Sequence, residues 1–298
     1  MDIRYLHNFL KVVDLGSMSE AARQLDVSPA AIAQQMRTLE RELGASLLVR
    51  QGRSVQPTAA GQRLLERGRI LVQDADALRD WVVTDEDEGE LRLGTVNTAL
   101  HSFLPDILHS FAKHYPGVRI ALRSAVTPAL YAALTQFELD AALCLKSPFD
   151  LPKTVRWTSL RQEPLIVLAH ASDAERDPLE LLRTEPFVRY DRQLAGGNLA
   201  ERYLQIQKIR PHERVELNSI LAIALLVQRG LGVGLVPDIG QGIEGQGLCK
   251  LAVPPVSGSE DGLPLPAREL GLLWRHQSPR GHWVQTLLRC ARDVMARD

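Results

Sequence analysis

Small and hydrogen-bonding side chains recur at helical spacing between residues 29 and 43, and this combination suits contact with DNA bases. The face that they form consists of Ala30, Ala33, Gln34, Arg37 and Arg41. Small side chains let a helix lie close to base edges in the major groove, and the amide of Gln34 matches adenine. The predicted chemistry is recognition rather than catalysis. The alternative at this point is a helical hairpin with a solvated polar face.

Three helices are predicted to position this face. Apolar residues at helical spacing predict a first helix that ends at Gly16. Ser17 and Glu20 have the form of a capping box that starts a second helix. Ser28 before Pro29 predicts the N-cap of the third helix. Because the turn between the last two helices is so short, they must cross steeply, as in a helix-turn-helix.

A two-stranded wing is predicted to follow over residues 45–58, where an apolar strand, a polar turn and a return strand succeed one another. Arg50 and Arg53 fall at its tip and base, where they suit a phosphate or the minor groove. The segment 17–69 holds eight arginines and five acidic residues, a net charge of +3, although the whole chain carries −1. A local basic surface of this kind can bind phosphates within an acidic protein.

The first sixty residues resemble the LysR-type transcriptional regulators. The residues that carry the resemblance are Phe9, Gly16, Ser17, Ala21, Ala22, Leu25, Val27, Ser28, Ala31, Gln35, Leu39, Glu40, Leu43, Gly44, Leu47, Arg50, Arg53, Thr58, Ala60 and Gly61. The resemblance implies binding to double-stranded promoter DNA as a homodimer or homotetramer, with RNA polymerase as a further possible partner. The expected DNA-binding residues are Ser17, Ser28, Pro29, Ala30, Ala33, Gln34, Arg37, Arg50 and Arg53. Over residues 28–34 this chain departs from the family's usual Ser-Gln-Pro-Ala-Val-Ser-Arg, so the base preference does not carry over from relatives.

A long helix is predicted to connect this domain to the rest of the chain. Its apolar stripe alternates spacings of four and three residues and consists of Leu64, Gly68, Leu71, Ala75, Leu78 and Val82. Such a stripe predicts a coiled-coil seam, and the economical partner is the same helix of a second copy. Packing onto the chain's own C-terminal domain is the alternative. The acidic residues 84–90 then predict a hinge.

Strands and helices alternate beyond residue 90, and this predicts a mostly parallel sheet covered by helices in two lobes. The region is similar to the LysR-family effector domain, which looks like a periplasmic binding protein. The similarity rests on Gly94, Leu104, Pro105, Phe111, Tyr115, Pro116, Gly117, residues 139–142 and residues 227–237. The predicted fold is therefore a multidomain α+β and α/β chain. Its predicted parts are a winged helix-turn-helix over 1–60, a linker helix and hinge over 61–89, and an effector-binding domain over 90–298, with lobe I at about 90–162 and 267–298 and lobe II at about 163–266.

A ligand of an open α/β sheet binds beyond the carboxyl ends of the strands, so polar residues at those ends are candidates for effector binding. They are Asn97, Thr98, Thr127 and Lys146 in lobe I, and Arg192, Asn198, Asn218 and Ser219 in lobe II. Thr98 and Thr127 stand before predicted helices, whose free amides favour an anionic group. Ordinary N-caps have the same geometry, and that interpretation stays open here.

Enzymatic motifs are missing from the sequence: it has no GxSxG, HExxH or P-loop, and no cofactor or metal is expected. Cys144, Cys249 and Cys290 are scattered, so a redox-sensing regulator on the same scaffold is the weaker alternative, and a metabolite-binding enzyme is weaker still. We expect a cytoplasmic protein, because the N-terminus has no signal-peptide pattern and no apolar run is long enough to span a bilayer.

Overall fold

The computed structural model describes residues 1–52, 54–83, 88–243, 247–255, 267–276 and 278–297. The chain forms two compact units, Met1–Gly89 and Glu90–Asp298. Among the described residues, no helix has both the length and the apolar character needed to cross a membrane.

The first unit is a three-helix fold with a two-stranded wing and a long fourth helix. Its elements are α1 (Ile3–Leu15), α2 (Met18–Gln24), α3 (Pro29–Leu43), β1 (Leu48–Gln51), β2 (Ser54–Pro57) and α4 (Ala59–Val83). Both predicted N-caps are confirmed: the Ser17 hydroxyl accepts a hydrogen bond from the Glu20 amide at 3.3 Å, and the Ser28 hydroxyl accepts one from the Ala31 amide at 3.2 Å. The Glu20 carboxylate turns instead to Arg23, 2.6 Å away, so the capping box is not reciprocal.

The apolar face of α3 packs into the core of this unit. Ile32, Met36 and Leu39 are buried together with Leu6 and Phe9 of α1. Leu43 is exposed, because it is the last residue of the helix. The opposite face of α3 is therefore left to solvent.

The predicted seam of α4 divides into two parts. Leu64 packs against the core of the first unit, and Gly68 faces α1, where an added Cβ would come within 2.8 Å of a leucine side chain. Leu71 and Leu78 are 45% and 57% exposed. The side chain of Val82 lies outside the described residues. The early part of the stripe thus belongs to the chain's own core, and the apolar surface open to a partner begins at Leu71, about two turns later than predicted.

The second unit has one apolar core over residues 91–155 and 270–295, called lobe I below, and two over residues 165–253, called lobe II. Its elements are β3 (Glu88–Thr95), α5 (Asn97–His101), α6 (Leu104–His114), β4 (Gly117–Ser124), α7 (Thr127–Thr135), β5 (Ala141–Leu145), β6 (Val155–His170), α8 (Pro178–Thr184), β7 (Pro186–Tyr190), α9 (Ala195–Ile206), β8 (His212–Leu217), α10 (Ile220–Gln228), β9 (Gly234–Pro237), β10 (Leu248–Ala252), β11 (Ala267–Arg275) and α11 (Gly281–Met295), with short 3-10 turns at Ala171–Asp173 and Gly240–Ile243.

The strand β6 belongs to both lobes. The main sheet has the order β10-β6-β11-β5-β3-β4, and β9 also pairs with β6. Residues 155–164 of β6 pair with β11 in lobe I, and residues 165–170 pair with β9 and β10 in lobe II. A separate two-stranded sheet joins β7 and β8.

The prediction of a mostly parallel sheet is wrong. β3 with β5 and β7 with β8 are parallel pairs, but β11 runs antiparallel to both β5 and β6, and β6 runs antiparallel to β9 and β10. The chain leaves lobe I along β6 and returns to it along β11 in the opposite direction. Alternation of strands and helices along the sequence cannot reveal such a return.

A buried carboxylate in lobe I binds the residue at the start of α11. Asp140 is fully buried and accepts hydrogen bonds from the Arg92 backbone amide at 2.8 Å and from the Arg92 guanidinium at 2.9 Å. The Arg280 guanidinium reaches the same carboxylate at 3.2 Å, immediately before α11. α11 then covers the lobe I core with its apolar face.

Candidate functional sites

The exposed face of α3 presents the residues predicted to read DNA. Ser28, Pro29 and Ala30 are exposed at its first turn, and Gln34 and Arg37 are exposed farther along. The structure adds a contact between the last two: the Gln34 side-chain oxygen accepts hydrogen bonds from the Arg37 guanidinium at 2.7 and 3.3 Å. The amide group is thereby oriented before any base is met. Ala33 lies half-buried beside them.

Hydroxyl groups at two helix starts suit phosphate contacts. The Ser17 and Ser28 oxygens each accept a backbone amide, and a hydroxyl in that position still has its own proton to donate. Arg50 is exposed at the end of the wing strand β1. Arg53, the other predicted wing cation, lies outside the described residues.

Two side chains and a glycine that sequence reasoning did not single out for a role fix the wing and its flanking residues against α3 and α4. The Glu40 carboxylate of α3 accepts the backbone amide of Leu47 at 2.7 Å. The Thr58 hydroxyl donates to the Ser46 carbonyl at 2.6 Å. At Gly61, an added Cβ would lie 2.1 Å from the Leu47 carbonyl oxygen, so α4 and the wing can meet this closely only through glycine. The family resemblance named Glu40, Thr58 and Gly61, and these contacts supply a physical reason for them.

The threonines expected before helices are inside them. The N-cap positions of α5 and α7 are Val96 and Val126, and neither helix has a side-chain cap. Thr98 lies in the first turn of α5, and the Thr127 hydroxyl accepts the amide of Leu145 at 3.2 Å. The interpretation of both threonines as ordinary N-caps is therefore wrong, because each helix begins earlier than the sequence pattern indicates.

The cations expected at the ligand site already have carboxylate partners. Lys146 binds Glu269 at 2.9 Å. Arg192 binds Glu213 at 2.6 Å and lies within 4.0 Å of Glu201 and Glu216. Burial favours the neutral form of Glu213, but hydrogen bonds from neighbouring arginines outweigh it and hold its pKa below the ordinary value. An anion at either cation would compete with these glutamates, which are already bound to it.

The remaining candidates belong to helices that face one another across the lobes. Asn97 lies at the start of α5 in lobe I, and α5 contacts α10 of lobe II. Ser219 is the N-cap of α10, since its hydroxyl accepts the Ala222 amide at 3.2 Å, and Asn218 is exposed just before it. Asn198 is exposed in the first turn of α9. The structure thus brings α5, which carries Asn97 and Thr98, into contact with α10.

A buried arginine that the sequence analysis missed lies at the junction of the lobes. Arg268 of β11 is 8% exposed, and its Nε lies 2.5 Å from the carboxylate of Glu163 on β6. Its Nη2 donates to the Thr98 hydroxyl at 3.0 Å. Burial raises the pKa of Glu163, and the charges of Arg268 and Arg161 oppose that rise. The only available signal was the position of Arg268 at the start of a strand, which does not indicate its partners.

The surroundings of two of the three cysteines disfavour a reactive thiolate. Cys144 and Cys290 are buried, and burial raises the pKa of Cys144 to about 12. Burial and the nearby Asp173 raise the pKa of Cys249 as well. Reactive thiols need a stabilised thiolate, and these surroundings disfavour one. Among the described residues, no group of three or more His, Cys, Asp or Glu side chains could hold a metal ion.

Comparison with known proteins decides the family. The sequence model of the bacterial regulatory helix-turn-helix of the lysR family matches residues 3–62, and that of the LysR substrate binding domain matches residues 84–296. The chain belongs to the LysR family of transcriptional regulators. It is thus a DNA-binding regulator with an effector-binding domain, as the sequence predicted.

Relatives of this LysR-type regulator match along most of its length. The regulator IlvR of Caulobacter vibrioides is 30% identical over 301 residues, which cover 97% of each chain. The regulator CzcR of Bacillus cereus is 29% identical over 239 residues, which cover 80% of this chain and 81% of CzcR.

Solved structures share the fold of the whole chain. Full-length OxyR from Pseudomonas aeruginosa has a TM-score of 0.67 at 22% identity and covers 98% of this chain and 95% of its own. CbnR in complex with its target DNA has a TM-score of 0.59 at 21% identity, covering 99% and 100%. These likenesses establish the fold.

Proposed function

We propose that this regulator binds its operator through α3 and the wing as a homo-oligomer, and that a small anionic molecule bound between the two lobes changes its action at the promoter. Differential binding of that molecule to one arrangement of the subunits would alter the spacing of the DNA-binding domains, and with it promoter bending or RNA polymerase recruitment. Action on chromosomal promoters places the protein in the cytoplasm.

The observation that carries the ligand proposal is the contact between Thr98 and Arg268. Thr98 belongs to lobe I, and its hydroxyl accepts a hydrogen bond from the Arg268 guanidinium. The same guanidinium lies beside Tyr190 and Gly196 of lobe II. The Thr98 hydroxyl accepts this bond and keeps its own proton for a ligand. Asn218 and Ser219 supply further polar groups at the start of α10, a helix that contacts α5. Polar groups from both lobes converging on one region are typical of a ligand site.

The oligomer is proposed to form through α4. Leu71 and Leu78 are seven residues apart, so they lie on one face of the helix, and both are exposed. Burial of these two large apolar side chains by a second copy would lower the free energy of the oligomer. Sequencing of the DNA that is crosslinked to the protein in cells would supply the operator and show which genes flank it.

A substitution at Thr98 tests the ligand site. Thr98→Val keeps the shape of the side chain and removes its hydroxyl, which should cost about 1–3 kcal/mol of effector-binding free energy. The response of an operator-linked reporter to the cellular effector should therefore weaken. Operator affinity without effector should stay at the wild-type value. Thr135→Val is the matched control, because the Thr135 hydroxyl only bonds carbonyls of its own helix.

Two outcomes would count against the interlobe site. Loss of operator affinity together with the response would mean that Thr98 is purely structural. A full response in Thr98→Val would place the ligand away from α5. The redox alternative is tested on the same reporter: a response to peroxide that disappears on replacement of Cys249 by Ser would favour it.

A further inference from the structure

The guanidinium of Arg268 occupies the place where the chain crosses between the lobes. Arg268 and Glu163 are opposite one another in the β11–β6 ladder, in the pair next to the last one before β6 enters lobe II. Glu163 is 1% exposed and Arg268 is 8% exposed. Charged side chains are almost never buried to this degree unless they have partners. Here Arg268 and Glu163 are each other's partners, since Arg268 Nε lies 2.5 Å from the Glu163 carboxylate.

The surroundings of Arg268 are built to let other groups approach it. An added Cβ on Gly196 would lie 3.2 Å from Arg268 Nη1 and 2.8 Å from both the Tyr190 ring and the Pro237 side chain. Only glycine fits there. Gly196 lies in the first turn of α9, a helix of 12 residues with no side-chain N-cap. The guanidinium therefore lies beside backbone amides at the positive end of a helix.

The guanidinium also retains donor capacity. Arginine has five N–H groups, and contacts to Glu163, Thr98 and Tyr190 account for three of them. The planar fork of arginine matches the two oxygens of a carboxylate. Lys146 and Arg192 are likewise paired with glutamates, but unlike Arg268 they are exposed to solvent.

We propose that Arg268 holds a carboxylate group of the effector, that Thr98 donates its hydroxyl proton to the same group, and that Glu163 is the positioning residue that keeps the guanidinium in place. This inference rests on the proposed interlobe site and names its residue and its ligand class. The ligand is a small organic carboxylate, whose charge is met by Arg268 and by the first turn of α9.

The test uses the full-length protein and matched pairs of small probes, each pair a carboxylate and its carboxamide: acetate and acetamide, benzoate and benzamide, 3-methylbutanoate and 3-methylbutanamide. Thermal unfolding at constant ionic strength reports binding, since a ligand of the folded state raises Tm. We expect at least one carboxylate to raise Tm while its carboxamide does not.

Variants then assign the binding to a residue. Arg268→Lys keeps the charge opposite Glu163 but loses the fork, and it should weaken carboxylate binding about tenfold or more. Arg192→Lys makes the same exchange at the glutamate-bound arginine and should leave the affinity unchanged. If Arg268→Lys unfolds, the double variant R268Q/E163Q removes both buried charges together and should fold with carboxylate binding lost.

The outcomes separate this inference from the proposed function. Weakening by Thr98→Val but not by Arg268→Lys would overturn the role of Arg268 and leave the interlobe site standing. If neither Thr98→Val nor Arg268→Lys affects carboxylate binding, both the role of Arg268 and the interlobe site are overturned. Equal stabilisation by a carboxylate and its carboxamide would overturn the ligand class, and so would a set in which no carboxylate raises the Tm of the wild type.

Discussion

Gln34 and Arg37 act as one unit on the exposed face of α3, because the guanidinium orients the amide oxygen. Gln34→Ala should change the preferred bases of the operator, since it removes an amide matched to adenine and releases the arginine from its orientation. Selection of bound sequences from a random pool measures the preference. A variant that loses affinity for all sequences equally, with the same preferred bases, would assign Gln34 to the phosphate backbone.

Arg50 belongs to the other class of DNA contact. Arg50→Ala should weaken binding to every sequence and lower the salt dependence by about one phosphate contact. Fluorescence anisotropy over a range of salt concentrations gives that slope. The same result is expected of Arg53→Ala from the sequence alone. An altered base preference in Arg50→Ala would contradict this assignment of the wing.

Asp140 is expected to be the most sensitive ion-pairing position in lobe I. Asp140→Ala leaves Arg92 and Arg280 facing a buried site without a carboxylate, which should cost about 3 kcal/mol of stability after allowance for their partial exposure. The control is Glu138→Ala at the exposed Arg123 pair, where a loss below about 1 kcal/mol is expected. Urea unfolding compares the two, and equal losses would show that Asp140 has no special role.

Single residues were predictable where a local rule governs them. Ser17 and Ser28 cap helices because a short hydroxyl side chain before an apolar periodic run satisfies free amides, and the sequence alone shows this pattern. Arg268 was missed because its three partners come from β6, α5 and β7, far apart in the sequence. Arg192 was overrated for the same reason, since the glutamates of β8 that neutralise it follow a whole helix later.

At the scale of elements, α4 carries the exposed leucines on which the oligomer should depend. Leu71→Asp places a charge in the proposed interface and should give monomers with a large loss of operator affinity. Gln62→Asp is the control, because nine residues at 100° each put it on the opposite side of the helix. Light scattering reads the mass. An oligomer of unchanged mass in Leu71→Asp would place the subunit contact elsewhere.

Helices and strands were predictable where one period holds throughout. The stripe of α3 gave a helix that the structure confirms. By contrast, β6 runs over Val155–His170, but only residues 165–168 form the apolar run that indicates a strand in the sequence. The earlier half mixes polar and apolar residues and is largely half-exposed, so it lacks such a run. This half is a strand because it pairs with β11. That pairing depends on the tertiary fold, so the local sequence does not show it.

At the scale of the whole molecule, the return of the chain through β11 determines the order in which its parts can be completed during synthesis. The first unit and most of lobe II can emerge from the ribosome while lobe I still lacks its central strand β11 and its covering helix α11. Until then, β5 and β6 expose unpaired edges to other nascent chains. A chain that stops before residue 267 would keep a complete DNA-binding unit and an unfinished sensor, so premature termination would yield a DNA-binding fragment that has lost the means to respond.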